Sequence, residues 1–162
     1  HHRDRFNIVM GLKQDDRGIG YNTNQSIIAF ASGGISGEGF LKGSQTRGDF
    51  VPEQHTDYIF STVGEEWGFL GASIVLLLFS YLMIRISKRA ELQRNLFNKI
   101  YAYSTVTILF SHFFINIGMV LGLVPTIGIP LPFISYGGSN LLAFILLFSI
   151  YIKLDSQRTS KW

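Results

Sequence analysis

The sequence contains no cysteine among its 162 residues. A disulfide framework, a thiolate nucleophile and a cysteine-ligated metal are thereby excluded. Charge is scarce too: 15% of residues are charged, against roughly 25% in an average soluble chain. The net charge of +3 is small, and the basic residues gather at the flanks of apolar runs instead of forming a stripe. That distribution argues against nucleic-acid binding. The start, His1-His2-Arg3-Asp4, has neither Met nor a signal-peptide pattern; the expectation is a C-terminal piece of a longer protein. Glycines crowd positions 33–43, yet no strand is predicted before them and no Gly-Lys-Ser/Thr follows. A phosphate loop is therefore rejected. The expected alternative is backbone packed so closely that side chains would obstruct it.

What the chain has in abundance is apolar surface. It is 47% hydrophobic, with 14 phenylalanines and a mean hydropathy of +0.25. Residues 67–86 form an apolar run of the length one membrane helix needs. A second run covers 100–124 and a third, shorter one 139–154. The expected organisation is a polar loop at 1–63, a span at 64–86 and a basic connection at 87–99. A second span at 100–124, a Pro/Gly loop at 125–138, a third span at 139–154 and a tail at 155–162 complete it. Within 1–63, the apolar run Ile27-Ile28-Ala29-Phe30 is too short to span and suits a helix lying at the interface. The connection bearing Arg85, Lys88, Arg89, Arg94 and Lys99 should be cytoplasmic, because short basic loops stay inside. The loop from Val124 to Ser139 has no Lys or Arg and should lie outside. The stretch before Trp67 then lies outside as well. Irregular loops of this kind cannot face lipid and must line protein or a watery cavity, so further helices are expected around them.

The chemistry concentrates just before the first span, in Pro52-Glu53-Gln54-His55-Thr56-Asp57-Tyr58-Ile59-Phe60. If Pro52 opens a helix, Glu53 and Asp57 stand one turn apart on one face. Carboxylates are the natural acid–base groups there; the bland alternative is a solvated surface loop. Glu53, His55 and Asp57 match no strong zinc signature, and no metal ligand is assigned. Glu65 and Glu66 read as helix-capping acids before they read as cation contacts. His112 and Asn116, four apart in the second span, are expected to make interhelical hydrogen bonds. Gly118 and Gly122 have a spacing that permits close helix approach. Ser135-Tyr136-Gly137-Gly138-Ser139 leads into the third span. Its N–H groups could hold an anion such as a pyrophosphate, or the glycines only make the turn and Ser139 caps the helix.

Several long motifs, in order, carry a resemblance. Gly128-Ile129-Pro130-Leu131-Pro132-Phe133-Ile134-Ser135-Tyr136-Gly137-Gly138-Ser139 resembles the C-terminal signature of the SEDS membrane proteins, the RodA and FtsW family. The Pro52–Phe60 stretch resembles their large outer loop, and Tyr21-Asn22-Thr23-Asn24-Gln25-Ser26 followed by Gly33-Gly34 resembles its start. Gly64-Glu65-Glu66-Trp67-Gly68-Phe69-Leu70-Gly71 and Asn116-Ile117-Gly118-Met119-Val120 resemble the helices that follow. Glu53-Gln54-His55 and Gly128-Ile129-Pro130-Leu131-Pro132 are more like the RodA branch than the FtsW branch.

The resemblance implies an all-α polytopic membrane protein, a large extracytoplasmic loop with three helices of a bundle of about ten. It implies a peptidoglycan glycosyltransferase polymerising lipid II into glycan strands during elongation, in the bacterial cytoplasmic (inner) membrane with its site on the outer face. Asp57 aligns with the family's essential acid and would be the general base. Glu53, Gln54, His55, Thr56, Ser135, Tyr136, Gly137, Gly138 and Ser139 would contact substrate. No cofactor is certain; a divalent Mg or Mn would suit the departing pyrophosphate, although no ligand set can be read. The implied partners are lipid II, the nascent strand, a class B penicillin-binding transpeptidase and the membrane. Rival readings are a lipid-linked precursor transporter, a non-enzymatic scaffold for the transpeptidase, and an FtsW-type division role.

Overall fold

The computed structural model describes residues 19–48 and 55–157. Among them the regular structure is entirely helical: α1 (Ile19–Ser32), α2 (Ser44–Arg47), α3 (Ile59–Glu91), α4 (Leu96–Val120) and α5 (Gly138–Ser156). Three of these, α3, α4 and α5, are long and apolar enough to cross a membrane. Their outward side chains are apolar, with Leu77, Leu78, Ile84, Leu142 and Ile152 exposed. That inverts the pattern of a protein in water, and hydrocarbon is the solvent that tolerates it.

The stretch before the first span is not one continuous loop. It contains α1, which at about 1.5 Å per residue is too short to cross about 30 Å of hydrocarbon. α1 packs against α3 and, to a lesser extent, α4. Ser26 and Ala29, one turn apart, face that contact and are buried. The Ser26 hydroxyl shares its hydrogen between the Thr23 carbonyl of its own helix at 2.8 Å and the Val120 carbonyl at 3.0 Å, supplying a donor where the last turn of α4 has none of its own.

α3 begins at Ile59 and ends at Glu91, so it overruns the expected 64–86 at both ends. The connection to α4 shrinks from 87–99 to residues 92–95. Arg85, Lys88 and Arg89 lie on the last turns of α3, where cations complement the helix dipole. The Asn95 side chain then starts α4 by accepting the Phe97 N–H at 3.0 Å. Arg89 pairs with Asp155 of α5, and Gln93 donates to the same carboxylate at 2.8 Å. Ile86, Ala90, Ala102, Leu109, Phe144 and Tyr151 pack beneath these ties.

α3 is also interrupted. Gly68 has φ 64° and ψ −164°, which separates a short first segment from the long span. A break exposes backbone groups that lipid cannot satisfy. Here the glycine stretch satisfies them. Glu38 and Gly39 donate N–H groups to the Glu65 and Glu66 carbonyls at 2.9 and 3.0 Å. Phe69 and Leu70 donate to the Gly34 and Ile35 carbonyls at 2.9 and 3.2 Å. Backbone lies directly on backbone: a Cβ on Gly33 would stand 1.9 Å from the Gly64 carbonyl oxygen, and one on Gly37 would stand 2.1 Å from that of Glu66. The glycine density is this contact.

The spacing of Gly118 and Gly122 has another meaning than helix approach alone. Gly122, at φ +71°, ends α4. Leu123 donates to the Gly118 carbonyl at 2.8 Å and Gly122 donates to that of Met119 at 3.1 Å, the bond pair of a glycine-terminated helix. The chain then runs irregularly to Gly137. Within it Phe133 holds a positive φ of 65°, with its ring between Phe144 and Phe148 at centroid distances of 5.6 and 5.3 Å.

Candidate active site

At the Gly122 end of α4 two irregular stretches meet: residues 55–58, entering α3, and residues 126–136, between α4 and α5. Three direct ties join them. Tyr136 donates its N–H to the His55 carbonyl at 2.8 Å. The Ser135 hydroxyl donates to the Thr56 carbonyl at 2.6 Å and accepts the Leu131 N–H at 2.7 Å. The Tyr58 hydroxyl pairs with that of Thr126 at 2.9 Å, which also meets Thr23 of α1 at 3.2 Å. Asn116, fully buried in α4, donates from one Nδ2 to the carbonyls of Asp57 and Ile129, both at 2.8 Å. One turn earlier, His112 Nδ1 lies 3.4 Å from the Pro130 carbonyl.

The Asp57 carboxylate sits over Gly128. A Cβ at position 128 would lie 3.1 Å from Asp57 Oδ2, and Gly128 has φ +81°. Asp57 is half-buried, and Tyr58 and Phe60 just after it are buried with Ala29, Ala72 and Val120. The junction therefore rests on a packed apolar floor. Its main-chain carbonyls are held by neutral donors, and the carboxylate belongs to a short turn with fixed ends.

The residues expected to contact substrate divide into groups. Glu53 and Gln54 lie outside the described residues. His55 is exposed, Thr56 is half-buried, and both have carbonyls committed to the second stretch. Tyr136 presents an exposed ring. Ser135 does not suit a substrate contact: it is buried, and its hydroxyl already donates once and accepts once inside the protein. Gly137 is the residue before α5, and Gly138 is its first. Ser139 does not cap α5, because the helix has started before it and no side chain caps that end. Since the Ser135 and Tyr136 N–H groups are engaged, an anion at this loop would rely on Gly137 and the first turn of α5.

Other readings shift with the geometry. Asn116 and His112 bond to loop carbonyls and not to another helix. Glu65 does cap a helix, but α2: its carboxylate accepts Gln45 N–H at 2.6 Å and Thr46 N–H at 3.0 Å, and the Thr46 hydroxyl. Gly43 leaves room for it. Among the described residues no three His, Asp or Glu side chains converge. These residues therefore do not by themselves fit a divalent cation, and no step is derived through one. Thr23 and Tyr58 stand in the resembling motifs with no role of their own expected, and Thr126 carried no local signal; the three hydroxyls meet only across the fold.

Long apolar helices around a polar, hydrogen-bonded junction define a multi-pass helical membrane protein. Comparison with known proteins makes this specific. The family model FTSW_RODA_SPOVE, described as cell cycle protein, matches residues 1–160. The chain belongs to that family. It is 40% identical over 156 residues to peptidoglycan glycosyltransferase MrdB of Escherichia coli K12, covering 96% of this chain and 42% of that protein. It is 40% identical over 153 residues to a probable peptidoglycan glycosyltransferase FtsW of Geobacter metallireducens, covering 94% and 40%. It is 34% identical over 154 residues to peptidoglycan glycosyltransferase RodA of Treponema pallidum, covering 95% and 36%. A solved structure described as "Structural coordination of polymerization and crosslinking by a peptidoglycan synthase complex" superposes with a TM-score of 0.79 at 27% identity, covering 98% of this chain and 43% of its own. The chain thus spans about two fifths of the length of the curated relatives it matches.

Proposed function

We propose that the protein containing this chain is a peptidoglycan glycosyltransferase of cell-wall elongation, polymerising lipid II at the outer face of the bacterial cytoplasmic membrane. The observation that carries the proposal is the Asp57 carboxylate held over Gly128 on a turn fastened by Asn116, Ser135 and Tyr136. The names of the relatives support the reaction class. The Glu53-Gln54-His55 motif supports the elongation branch. The gathering of Arg85, Lys88, Arg89 and Arg94 at the far end of α3 supports an outward-facing Asp57.

In this reading Asp57 acts as general base. It takes the proton from a sugar hydroxyl of lipid II as that oxygen attacks the anomeric carbon of the growing strand. A new glycosidic C–O bond forms, the anomeric carbon–pyrophosphate bond breaks, and undecaprenyl pyrophosphate leaves. His55, exposed beside Asp57, and the exposed Tyr136 ring stand where they can orient the sugar. Glu53 and Gln54 join them by sequence position. The first turn of α5, with Gly138 and Ser139, offers N–H groups to the departing anion. A class B penicillin-binding transpeptidase is the proposed partner, supported by the described synthase complex of the superposed structure.

The test is glycan polymerisation from purified lipid II by the intact protein, with a transpeptidase partner whose catalytic serine is disabled. Asp57→Asn and Asp57→Ala should abolish polymer while the complex stays assembled. Polymerisation by both at the parent's rate would overturn the general-base role and favour a scaffold or a transporter.

A further inference from the structure

Asn116 is a polar side chain one turn from the C-terminal end of the apolar helix α4, with no exposed surface. Its Oδ1 is buried and has no hydrogen-bond partner among the described residues. Packing alone does not account for an amide at such a place: an apolar side chain of similar volume would fill it without stranding an acceptor. What the amide does, and leucine cannot, is bind two carbonyls from two separate loops with one planar group. Nδ2 donates at 2.8 Å to Asp57 and at 2.8 Å to Ile129. The first carbonyl belongs to the candidate base itself. The second belongs to the residue after Gly128, over which the Asp57 carboxylate lies. His112, one turn away on the same face, approaches the next carbonyl, that of Pro130. Helix α4 therefore ties the two loops to one frame where the carboxylate must keep one height and direction.

We propose that Asn116 is a positioning residue for polymerisation, setting the main chain of Asp57 relative to Gly128 and Ile129 so that the carboxylate reaches the attacking hydroxyl. This rests on the reading of Asp57 as the base. Asn116 touches no substrate. Its removal therefore acts on the chemical step and leaves substrate binding alone. Displacement of a reacting group by about 1 Å costs on the order of a hundredfold in rate.

The experiment compares Asn116→Asp, Asn116→Ala and Asn116→Ser with the parent and with Asp57→Asn, each as the intact protein assembled with its serine-disabled partner. Asn116→Ala removes both donors; Asn116→Asp keeps the shape with a single O–H donor, because burial beside two carbonyls favours its protonated form, and Asn116→Ser keeps one small donor. The readouts are kcat and KM for lipid II, normalised to assembled complex. The expected result is a ten- to hundredfold fall in kcat for Ala at unchanged KM, with smaller falls for Asp and Ser. A purely structural role would lower the yield of complex and leave kcat per complex unchanged. Parental kcat in the assembled Asp and Ala variants, with Asp57→Asn inactive, overturns the positioning role and leaves the base assignment standing. Active Asp57→Asn removes both. If no variant at 116 assembles, the residue serves folding and the proposal falls.

Discussion

Replacing Gly68 by alanine should separate the glycine stretch from α3. Gly68 holds φ 64° and ψ −164°, a region essentially reserved for glycine, and forcing another residue there costs about 1–3 kcal/mol. The added Cβ would stand 2.4 Å from the Gly37 nitrogen and 2.6 Å from the Ile35 oxygen. Both are main-chain atoms, so no side chain can swing away to make room. The stretch 34–39 must lift, and the bonds from Glu38, Gly39, Phe69 and Leu70 are lost with it. Each is worth about 0.5–1.5 kcal/mol net, and more where lipid replaces water. The whole effect is on the order of 5 kcal/mol, a large share of a typical stability of about 5–15 kcal/mol. The assay is amide hydrogen exchange on the solubilised intact protein, alongside a thermal melt. Protection should vanish together at Glu38, Gly39, Phe69 and Leu70, and the melting temperature should drop. Gly34→Ala is the control: its φ is +53° but its Cβ direction is open, so it should cost only about 1–2 kcal/mol. If Gly68→Ala keeps both the protection and the parental melting temperature, the account of the broken helix is wrong.

Further expectations follow from the same contacts. Gly128→Ala adds a Cβ 3.1 Å from Asp57 Oδ2 at a φ of +81°. It should cut polymerisation by about ten- to a hundredfold in complexes that still assemble; an unchanged rate would mean that the Asp57 carboxylate does not need this position. Ser26→Ala removes the donor to the Val120 carbonyl and should destabilise by about 1–3 kcal/mol, read as a lower melting temperature. Asp155→Ala strands the Gln93 amide and should cost about 1–3 kcal/mol. Arg89, 42% exposed at its side chain, adds little because water replaces its partner. Lying at the other end of the spans, Asp155→Ala should leave the polymerisation rate per folded complex unchanged.

The three long helices were legible because hydropathy over a bilayer's length is a one-dimensional signal. Their ends were not. The basic residues at 85–89 marked a boundary of charge, while the helix ran on to Glu91. Short polar segments such as Ile19–Ser32 announced their apolar face but not the helix length. The glycine crowd at 33–43 correctly indicated close backbone packing; what it packed against, the break at Gly68, could not be read from either stretch alone. Gly118 and Gly122 have the spacing of a helix-contact motif and also that of a helix end, and only the φ of +71° at Gly122 separates the two. For Asn116 and His112 the sequence established that partners were needed inside the membrane, and left open that loop carbonyls would supply them. Ser139 met the rule for a helix cap but fell after the helix had begun. In each of these cases a local pattern fixed the need, and a long-range contact decided how it was met.

The same contacts bear on the choice between polymerase and transporter. A carrier that alternates its access must let one group of elements move against another about its substrate site. Here the turn carrying Asp57 is fastened to α4 by Asn116, to the loop after α4 by Ser135 and Tyr136, and to α1 through Tyr58, Thr126 and Thr23. α1 in turn closes the end of α4 through Ser26. Movement of any one of these elements against the others would break these hydrogen bonds. That arrangement suits a site whose geometry must be ready before substrate arrives, since a reacting group works best when its supporting shell is rigid. It also locates where motion would have to occur if the protein did transport: not within α1, α3 and α4 at this end, but against whatever packs on their exposed faces. Spin labels on Tyr136 and on α1 should hold a fixed separation with and without lipid II, and a ligand-dependent change between them would refute the rigid junction.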